Sequence, residues 1–423
     1  SLWSSRGACR KVWPAMSRII FVGDAVAATG FSAATHAVCD ELHRAGHDVH
    51  VLGLNYFGDP TDYPYRIYPC RNPFLGATDG MGVGRLPHLV ESLRPDLIVL
   101  LNDPWNIKDY LDTLKSYIER YNAQIPPPPL PIDMPPVLAW VAVDGKNQMG
   151  FRLNGVTHVA TWTKFAIDEL RTGGYLGEST IVPLGVDLQR FHPRDKTVAR
   201  RAIMHPDLRV SDSSFIVGVV GRNQPRKRLD LTIEAFSIFC NRHPDLDPYL
   251  YLHVAPTGDH GVDLVKVTHH RKLQGRVIVS SVPIGEGAHP ATMPLVYSSF
   301  DVYLTTSQGE GWGLPAHEAM ACGIPVIAPD FSGLGDWARD AALLVPCSHE
   351  MVTAPIGPGA YTIGAVPSAS AIADALSRLA TDPDLRMGYH LAGLERAASL
   401  PWSRTAVEFR TLVERLVEES HRR

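Results

Sequence analysis

Two carboxylates flank a glycine-rich turn in the run Gly309-Glu-Gly-Trp-Gly-Leu-Pro-Ala-His-Glu-Ala-Met-Ala-Cys-Gly-Ile-Pro325, namely Glu310 and Glu318. The preceding Asp301-Val-Tyr-Leu-Thr-Thr-Ser307 reads as a buried strand, and Pro315 suits the first helical position, where a missing N–H costs nothing. Glu310 is then expected on the loop and Glu318 in the first helical turn. The backbone N–H groups of Gly311, Trp312, Gly313 and Leu314 would meet an anion or sugar oxygens at the positive end of the helix dipole. A carboxylate on either side accepts hydrogen bonds from hydroxyls, which is the chemistry of a sugar-nucleotide site. The same unit is also ordinary α/β architecture, in which first-turn acidic residues merely complement the dipole.

A second element lies upstream. Phe215-Ile-Val-Gly-Val-Val220 is an apolar strand, followed by Gly221-Arg222-Asn-Gln-Pro-Arg226-Lys227-Arg228-Leu-Asp230 and an amphipathic helix, Leu231 to Phe239. Four cations within seven residues at a strand's carboxyl end make a diphosphate clamp, since open α/β sheets bind ligands at that end. A solvated basic turn is the alternative. Lys227 is expected to be an exposed cleft cation.

Arg222 and Lys227, joined to Glu310 and Glu318, resemble the signature of the retaining glycosyltransferases of the GT-B fold, family 4 (group 1). Ile181-Val-Pro-Leu-Gly-Val-Asp187-Leu-Gln-Arg-Phe191 resembles that family's entry to its second domain, and Pro325-Val-Ile-Ala-Pro-Asp330-Phe-Ser-Gly333 its strand and loop after the glutamate helix. The likeness runs from about Ile181 to Trp402 and is weaker before it. It implies two doubly wound Rossmann-like domains facing each other across a cleft. The implied activity is metal-independent hexosyl transfer from a nucleoside-diphosphate sugar, GDP-mannose or UDP-glucose type, to a hydroxyl acceptor, with retention at the anomeric carbon and no cofactor. Arg222 and Lys227 would stabilise the leaving diphosphate, Glu310 would hold sugar hydroxyls, Glu318 the ribose, and Val282 with Pro283 would bracket the base. In the first domain Gly30 would face the diphosphate, and Phe31 and His36 the acceptor; a packed His36 is the other reading. The acceptor is a saccharide, a lipid-linked saccharide or another polymer.

One departure matters. Val137-Leu-Ala-Trp-Val-Ala-Val143 delivers Asp144-Gly145 at its carboxyl end, where many members of that family carry histidine. Asp144 is the expected first-domain group facing the sugar, with a structural Asp-Gly turn as the alternative.

Before Ile181 the chain alternates strand and helix: Arg18–Val22, a helix from Ser32 to Ala45, Asp48–Leu52, Leu97–Leu101, a helix from Ile107 to Tyr121, Val137–Val143, then a strand and helix over His158 to Leu170. Further strands are expected at 215–220, 250–254, 276–280, 302–305, 325–328 and 342–345. The domain reading is an extension over 1–16, an acceptor domain over 17–190, a donor domain over 191–401, and a terminal helix over 402–423 with Val407, Leu412, Val413 and Leu416 at helical spacing, crossing back to the first domain or capping the second. The proline run from Gln124 to Pro136 reads as a stiff surface connection.

Composition narrows the rest. A 423-residue chain of net charge −4 with dispersed basic residues carries no nucleic-acid signature. No apolar run approaches the ~18 residues of a membrane span. The six cysteines, Cys9, Cys39, Cys70, Cys240, Cys322 and Cys347, lack paired spacing and read as reduced thiols of a cytoplasmic protein, with peripheral membrane contact left open. The 18 histidines include no metal-ligand motif, so no metal site is expected. Glu310 and Glu318 taken alone also suit a glycoside hydrolase pair, against which the cation clamp argues. The remaining alternatives are a sugar-nucleotide epimerase of the same fold and a non-catalytic nucleotide-sugar-binding protein.

Overall fold

The computed structural model describes residues 16–422 except 28, 72–78, 206, 207, 209, 256–259, 281–288, 290 and 354–360. Val282, Pro283 and the segment 1–15 lie outside the described residues.

The first domain runs β1 (Arg18–Asp24), α1 (Gly30–Arg44), β2 (Asp48–Leu54), β3 (Arg66–Pro69), α2 (Leu86–Leu93), β4 (Leu97–Asn102), α3 (Pro104–Asn122), β5 (Val137–Val141), β6 (His158–Thr161), α4 (Lys164–Thr172) and β7 (Ser179–Ile181). Its seven strands are all parallel, in the order β3-β2-β1-β4-β5-β6-β7. The second domain runs α5 (Lys196–Ile203), β8 (Ile216–Val220), α6 (Leu229–Arg242), β9 (Tyr249–His253), α7 (Leu264–His270), β10 (Val277–Val279), α8 (Met293–Ser298), β11 (Val302–Leu304), α9 (Leu314–Ala321), β12 (Val326–Pro329), α10 (Ser332–Trp337) and β13 (Leu343–Val345). A hairpin of β14 (His349–Val352) and β15 (Ile363–Val366) follows, then α11 (Ala369–Thr381), α12 (Pro383–Ser399) and α13 (Trp402–Arg422). The second parallel sheet has the order β10-β9-β8-β11-β12-β13.

Both sheets are covered by helices on their two faces, which is why central strands such as Leu97–Asn102 are buried along their whole length. Each sheet reverses its winding once, between β1 and β4 in the first domain and between β8 and β11 in the second. Such switch points open a crevice at the carboxyl ends of the strands.

The terminal helix α13 returns to the first domain. Phe409 lies 4.6 Å from Trp140 and 6.4 Å from Phe21, ring centre to ring centre, and Arg410 pairs with Glu41 of α1 at 2.8 Å. Its buried stripe is Phe409, Leu412, Val413 and Leu416, while Val407 is 45% exposed. Three sets of strands have no counterpart in the sequence reading: β3, β7 and the β14–β15 hairpin. They are three or four residues long.

That hairpin ties the lobes together. Lys146 N–H donates to Ile363 O at 2.8 Å and Ile363 N–H donates back to Lys146 O at 3.1 Å. Lys146 also pairs with Glu350, and the Asn147 amide donates to Tyr361 O at 3.0 Å. The proline run is a surface connection between α3 and β5, anchored where Arg94 donates to Pro131 O at 2.7 Å.

Candidate active site

The second-domain wall of the cleft is built at its switch point. Gly221 and Arg222 follow β8, and the loop after β11 carries Glu310. Helix α9 begins at Leu314, so Pro315 is its second residue and Glu318 its fifth, at the start of the second turn and one residue deeper than expected. Gly313 caps the helix at φ +84°, a left-handed conformation that a side chain would strain. Among the described residues no acceptor meets the N–H groups of Gly311, Trp312 and the N-cap Gly313, which lead into the helix.

One cavity gathers Arg222, Lys227, Tyr303, Glu310, Gly313 and Pro315. Within it Lys227 Nζ bonds Glu310 Oε1, and Arg226 Nη1 lies 3.3 Å from Glu310 Oε2. Lys227 is therefore not the exposed cation that the sequence suggested. Its side chain is 18% exposed and that of Glu310 is 12% exposed, because the short helical turn over Pro225–Lys227 folds the basic run back onto the Glu310 loop. Burial works to raise the Glu310 pKa. Lys227 and then Arg226 outweigh it, with hydrogen bonds from Lys227 and Ser307, and hold the carboxyl at about 2. Of the other cations in the run, Arg228 turns away to Asp230 at 2.8 Å.

Glu318 does not line that cavity. Its Oε2 accepts a hydrogen bond from Tyr297 at 2.6 Å, and burial lifts its pKa to about 7 against that bond and the nearby charge of Arg190. Tyr303 feels the charge of both Glu310 and Glu318. The Trp312 indole is turned into the core rather than across the cleft. It stacks on Trp337 at 4.5 Å and 9°, and donates to His317 Nδ1 at 3.2 Å, leaving only its backbone to face a ligand. His317 lies fully buried between these indoles, and burial lowers its pKa to about 3.

The first-domain wall is acidic. Asp24 ends β1, Asp103 follows β4 and Asp144 follows β5, on three adjacent strands whose carboxyl ends are level. Thr29 both caps α1, accepting from Ser32 N–H at 3.1 Å, and donates to Asp24 Oδ2 at 2.8 Å. Burial raises the Asp24 pKa, opposed by Thr29 and by Arg222 from across the cleft. For Asp103, burial and then Asp144 push the pKa to about 7, while Arg226 pulls it down. Asp144 Oδ1 accepts from the Gln148 amide at 3.3 Å.

The two walls touch. A Cβ on Gly309 would sit 1.7 Å from the Asp144 carbonyl oxygen, so only glycine fits there. A Cβ on Gly30 would meet the Leu314 side chain at 2.9 Å, and one on Gly311 would meet the Trp162 ring at 2.7 Å. Phe31 packs on Trp162 at 6.0 Å and so reaches the same junction. His36 lies deeper in the first domain, its Nδ1 at 2.7 Å from Tyr65 Oη, its Nε2 at 2.6 Å from Ala25 O, and its ring stacked on Tyr63 at 3.8 Å.

The structure thus brings Arg222, Lys227 and Glu310 together, sets Asp144, Gly30 and Phe31 opposite, holds Glu318 on Tyr297 outside the cavity lining, and keeps His36 in polar contacts within the first domain. Asp24, Asp103 and Tyr303 join the site without a role having been expected of them, and Arg226, one of the four cations of the expected clamp, is found on Glu310. For the two aspartates the signal was present: each stands at the carboxyl end of an apolar strand, as Asp144 does. No cluster of potential metal ligands occurs among the described residues, and none of their helices is long and apolar enough to cross a membrane.

Residues 201–390 match the family model described as Glycosyl transferases group 1. Among curated proteins, the D-inositol 3-phosphate glycosyltransferase of Kribbella flavida is 32% identical over 248 residues, covering 56% of this chain and 52% of that protein. The protein of the same name from Actinosynnema mirum is 33% identical, covering 57% and 54%. The chain thus spans about half the length of the curated relatives it matches. Among solved structures, sucrose-phosphate synthase from Thermosynechococcus elongatus superposes with a TM-score of 0.72 at 19% identity, over 95% of this chain and all of that one. Anabaena HepE in complex with UDP-glucose superposes at 0.66 with 15% identity, over 94% and 99%. The architecture is the GT-B fold, two Rossmann-like domains across a cleft, and its second domain is similar to the group 1 glycosyl transferases.

Proposed function

We propose that the protein is a retaining, metal-independent hexosyltransferase that moves a sugar from a nucleoside-diphosphate hexose, GDP-mannose or UDP-glucose type, to a hydroxyl acceptor. The observation that carries this reading is the convergence of Arg222, Lys227 and Glu310 on one cavity beside the amino end of α9, opposite Asp144. Breaking the bond between the sugar and the diphosphate develops negative charge on the leaving group. Arg222, Lys227 and the N–H groups of 311–314 are donors suited to that charge. Glu310, held ionised between two cations, accepts hydrogen bonds from the hexosyl hydroxyls. Glu318 takes the ribose hydroxyls and Tyr297 orients it. Val282 and Pro283 bracket the base.

In this scheme the acceptor oxygen bonds to the anomeric carbon on the face from which the diphosphate departs. Its proton passes to the departing phosphate oxygen, so no protein nucleophile is required. Asp144 polarises the sugar or orients the acceptor, and Gly30, Phe31 and His36 belong to the first-domain side. The acceptor is a saccharide, lipid-linked saccharide or polymer hydroxyl presented from the first-domain side, where Asp24, Asp103 and Asp144 offer hydrogen-bonding carboxyl groups. The named relatives support glycosyl transfer, and the HepE complex supports a UDP-glucose type of donor. Unpaired cysteines among the described residues fit a reducing, cytoplasmic setting.

Radiolabelled nucleotide sugars offered with a panel of neutral and phosphorylated acceptors, with and without chelator, test this reading. Label appearing on an acceptor in the presence of chelator supports it. Epimerised donor would point to the epimerase alternative, and binding without turnover to a sugar-nucleotide-binding protein. Activity lost to chelator and restored by metal would end the metal-free claim.

A further inference from the structure

We propose that Arg226 is a positioning residue, which fixes the Glu310 loop so that Lys227 is free to share its ammonium between Glu310 and a donor phosphate. Arg226 Nη1 donates to Gly309 O at 2.9 Å and lies 3.3 Å from Glu310 Oε2. Its own carbonyl accepts from Gln308 N–H at 2.8 Å. The short turn over Pro225–Lys227 and the loop 308–310 are therefore stapled at three points by one residue. Arg226 does not line the cavity that Arg222 and Lys227 line, so its guanidinium works on the loop and not on the diphosphate.

The need for a second cation follows from the first. Glu310 is largely buried, and a buried carboxylate that loses its partner is costly. Were Lys227 its sole partner, turning that ammonium toward a phosphate would strip the carboxylate. Arg226 occupies the other oxygen with a rigid planar donor set and removes the conflict, leaving Lys227 two further N–H donors to offer. The same staple has reach across the cleft. Gly309, whose carbonyl Arg226 holds, is the residue packed on the Asp144 carbonyl, and Arg226 acts electrostatically on Asp144 and Asp103. Displacing Arg226 would release the junction between the Glu310 loop and the first-domain acid.

The inference rests on the hexosyl-transfer reading, and its test separates the two. Arg226→Met and Arg226→Lys are compared with wild type in kcat, in binding of UDP and GDP by calorimetry, and in amide exchange at Gln308 and Glu310, whose N–H groups are held by Arg226 O and Ser332 Oγ. For Arg226→Met the expected results are kcat lower by about 10- to 100-fold, a diphosphate Kd within about threefold of wild type, and exchange at least about tenfold faster at both amides. Arg226→Lys, which keeps the charge, should recover part of kcat. The acidic limb of the kcat/KM profile should move to higher pH in Arg226→Met, since Glu310 loses a cation that lowers its pKa. A kcat within twofold of wild type, unchanged exchange, or equal losses in kcat and diphosphate affinity would each overturn the proposal, the last because Arg226 would then touch the diphosphate itself. If wild type transfers no sugar from any nucleotide sugar, the transfer reading fails, while exchange and UDP or GDP binding still decide whether Arg226 holds the loop.

Discussion

Replacing Lys227 by alanine removes one of the two cations on Glu310 and one of the donors aimed at the proposed diphosphate, and the two losses can be read separately. For stability, the fall of the Glu310 pKa from 4.5 to about 2 corresponds to ~3 kcal/mol of net preference for the ionised carboxyl in the folded state. Arg226 keeps its 3.3 Å contact, and burial together with the charge of Arg226 lowers the Lys227 pKa and offsets part of that gain, so the loss is on the order of 1 kcal/mol, well below the ~3–5 kcal/mol of a buried pair broken outright. The sign with pH follows from the depressed pKa. The contribution is complete above 4.5 and disappears as pH falls through about 2, so the stability gap between wild type and Lys227→Ala should close on acidification across that window. For turnover, loss of a preorganised donor to the leaving group costs ~2.7–4 kcal/mol, a drop of about 10²–10³ in kcat. Urea unfolding measured between neutral and acid pH, beside transfer at saturating donor, gives both numbers. A folded Lys227→Ala protein with near-normal transfer would remove the lysine from the chemistry. A stability gap that widened toward acid would refute the ion-pair account.

Glu318→Gln should raise the donor's Kd by about tenfold with a smaller effect on kcat, as expected when one of the two carboxyl oxygens offered to the ribose hydroxyls becomes an N–H donor, and unchanged binding of every nucleotide sugar would refute the ribose role. Asp103 has a raised pKa, so its contribution to stability is present below 3.8 and is lost as pH rises through about 7. Asp103→Asn should therefore flatten the decline of unfolding free energy over that window, and an unaltered slope would show that Asp103 is not buried against Asp144 as described. Ile363→Pro deletes the N–H that donates to Lys146 O while sparing the hairpin, since Ile363 is the first residue of β15. A loss of ~1 kcal/mol of interlobe contact is expected, read as faster amide exchange at Lys146, whose N–H donates to Ile363 O, and protection equal to wild type would show that the hairpin does not hold the lobes.

The strands that carry the site were legible because a parallel sheet buried on both faces leaves a strong apolar signature. The runs at 215–220, 302–305 and 137–143 each yielded a strand within two residues of its observed end, with Arg222, Glu310 or Asp144 beyond it. The carboxyl-end rule then pointed to the right rim of each sheet, because in an open α/β fold that rim is fixed by strand direction. The β14–β15 hairpin escaped because its reason for existing is a contact with the other lobe, which no local pattern encodes.

Sequence by itself determined the two sheets, their cation and carboxylate pairs, and the glycine turn into α9, since each depends on residues close together along the chain. Tertiary structure alone decided what those residues face. It folded Lys227 inward onto Glu310, sent Glu318 to Tyr297, turned Trp312 into the core, and brought Asp24, Asp103 and Asp144 from three separate strand ends to meet Arg222 and Arg226. Charge and burial at a cleft arise from surfaces hundreds of residues apart, so their balance exists only once both lobes are packed.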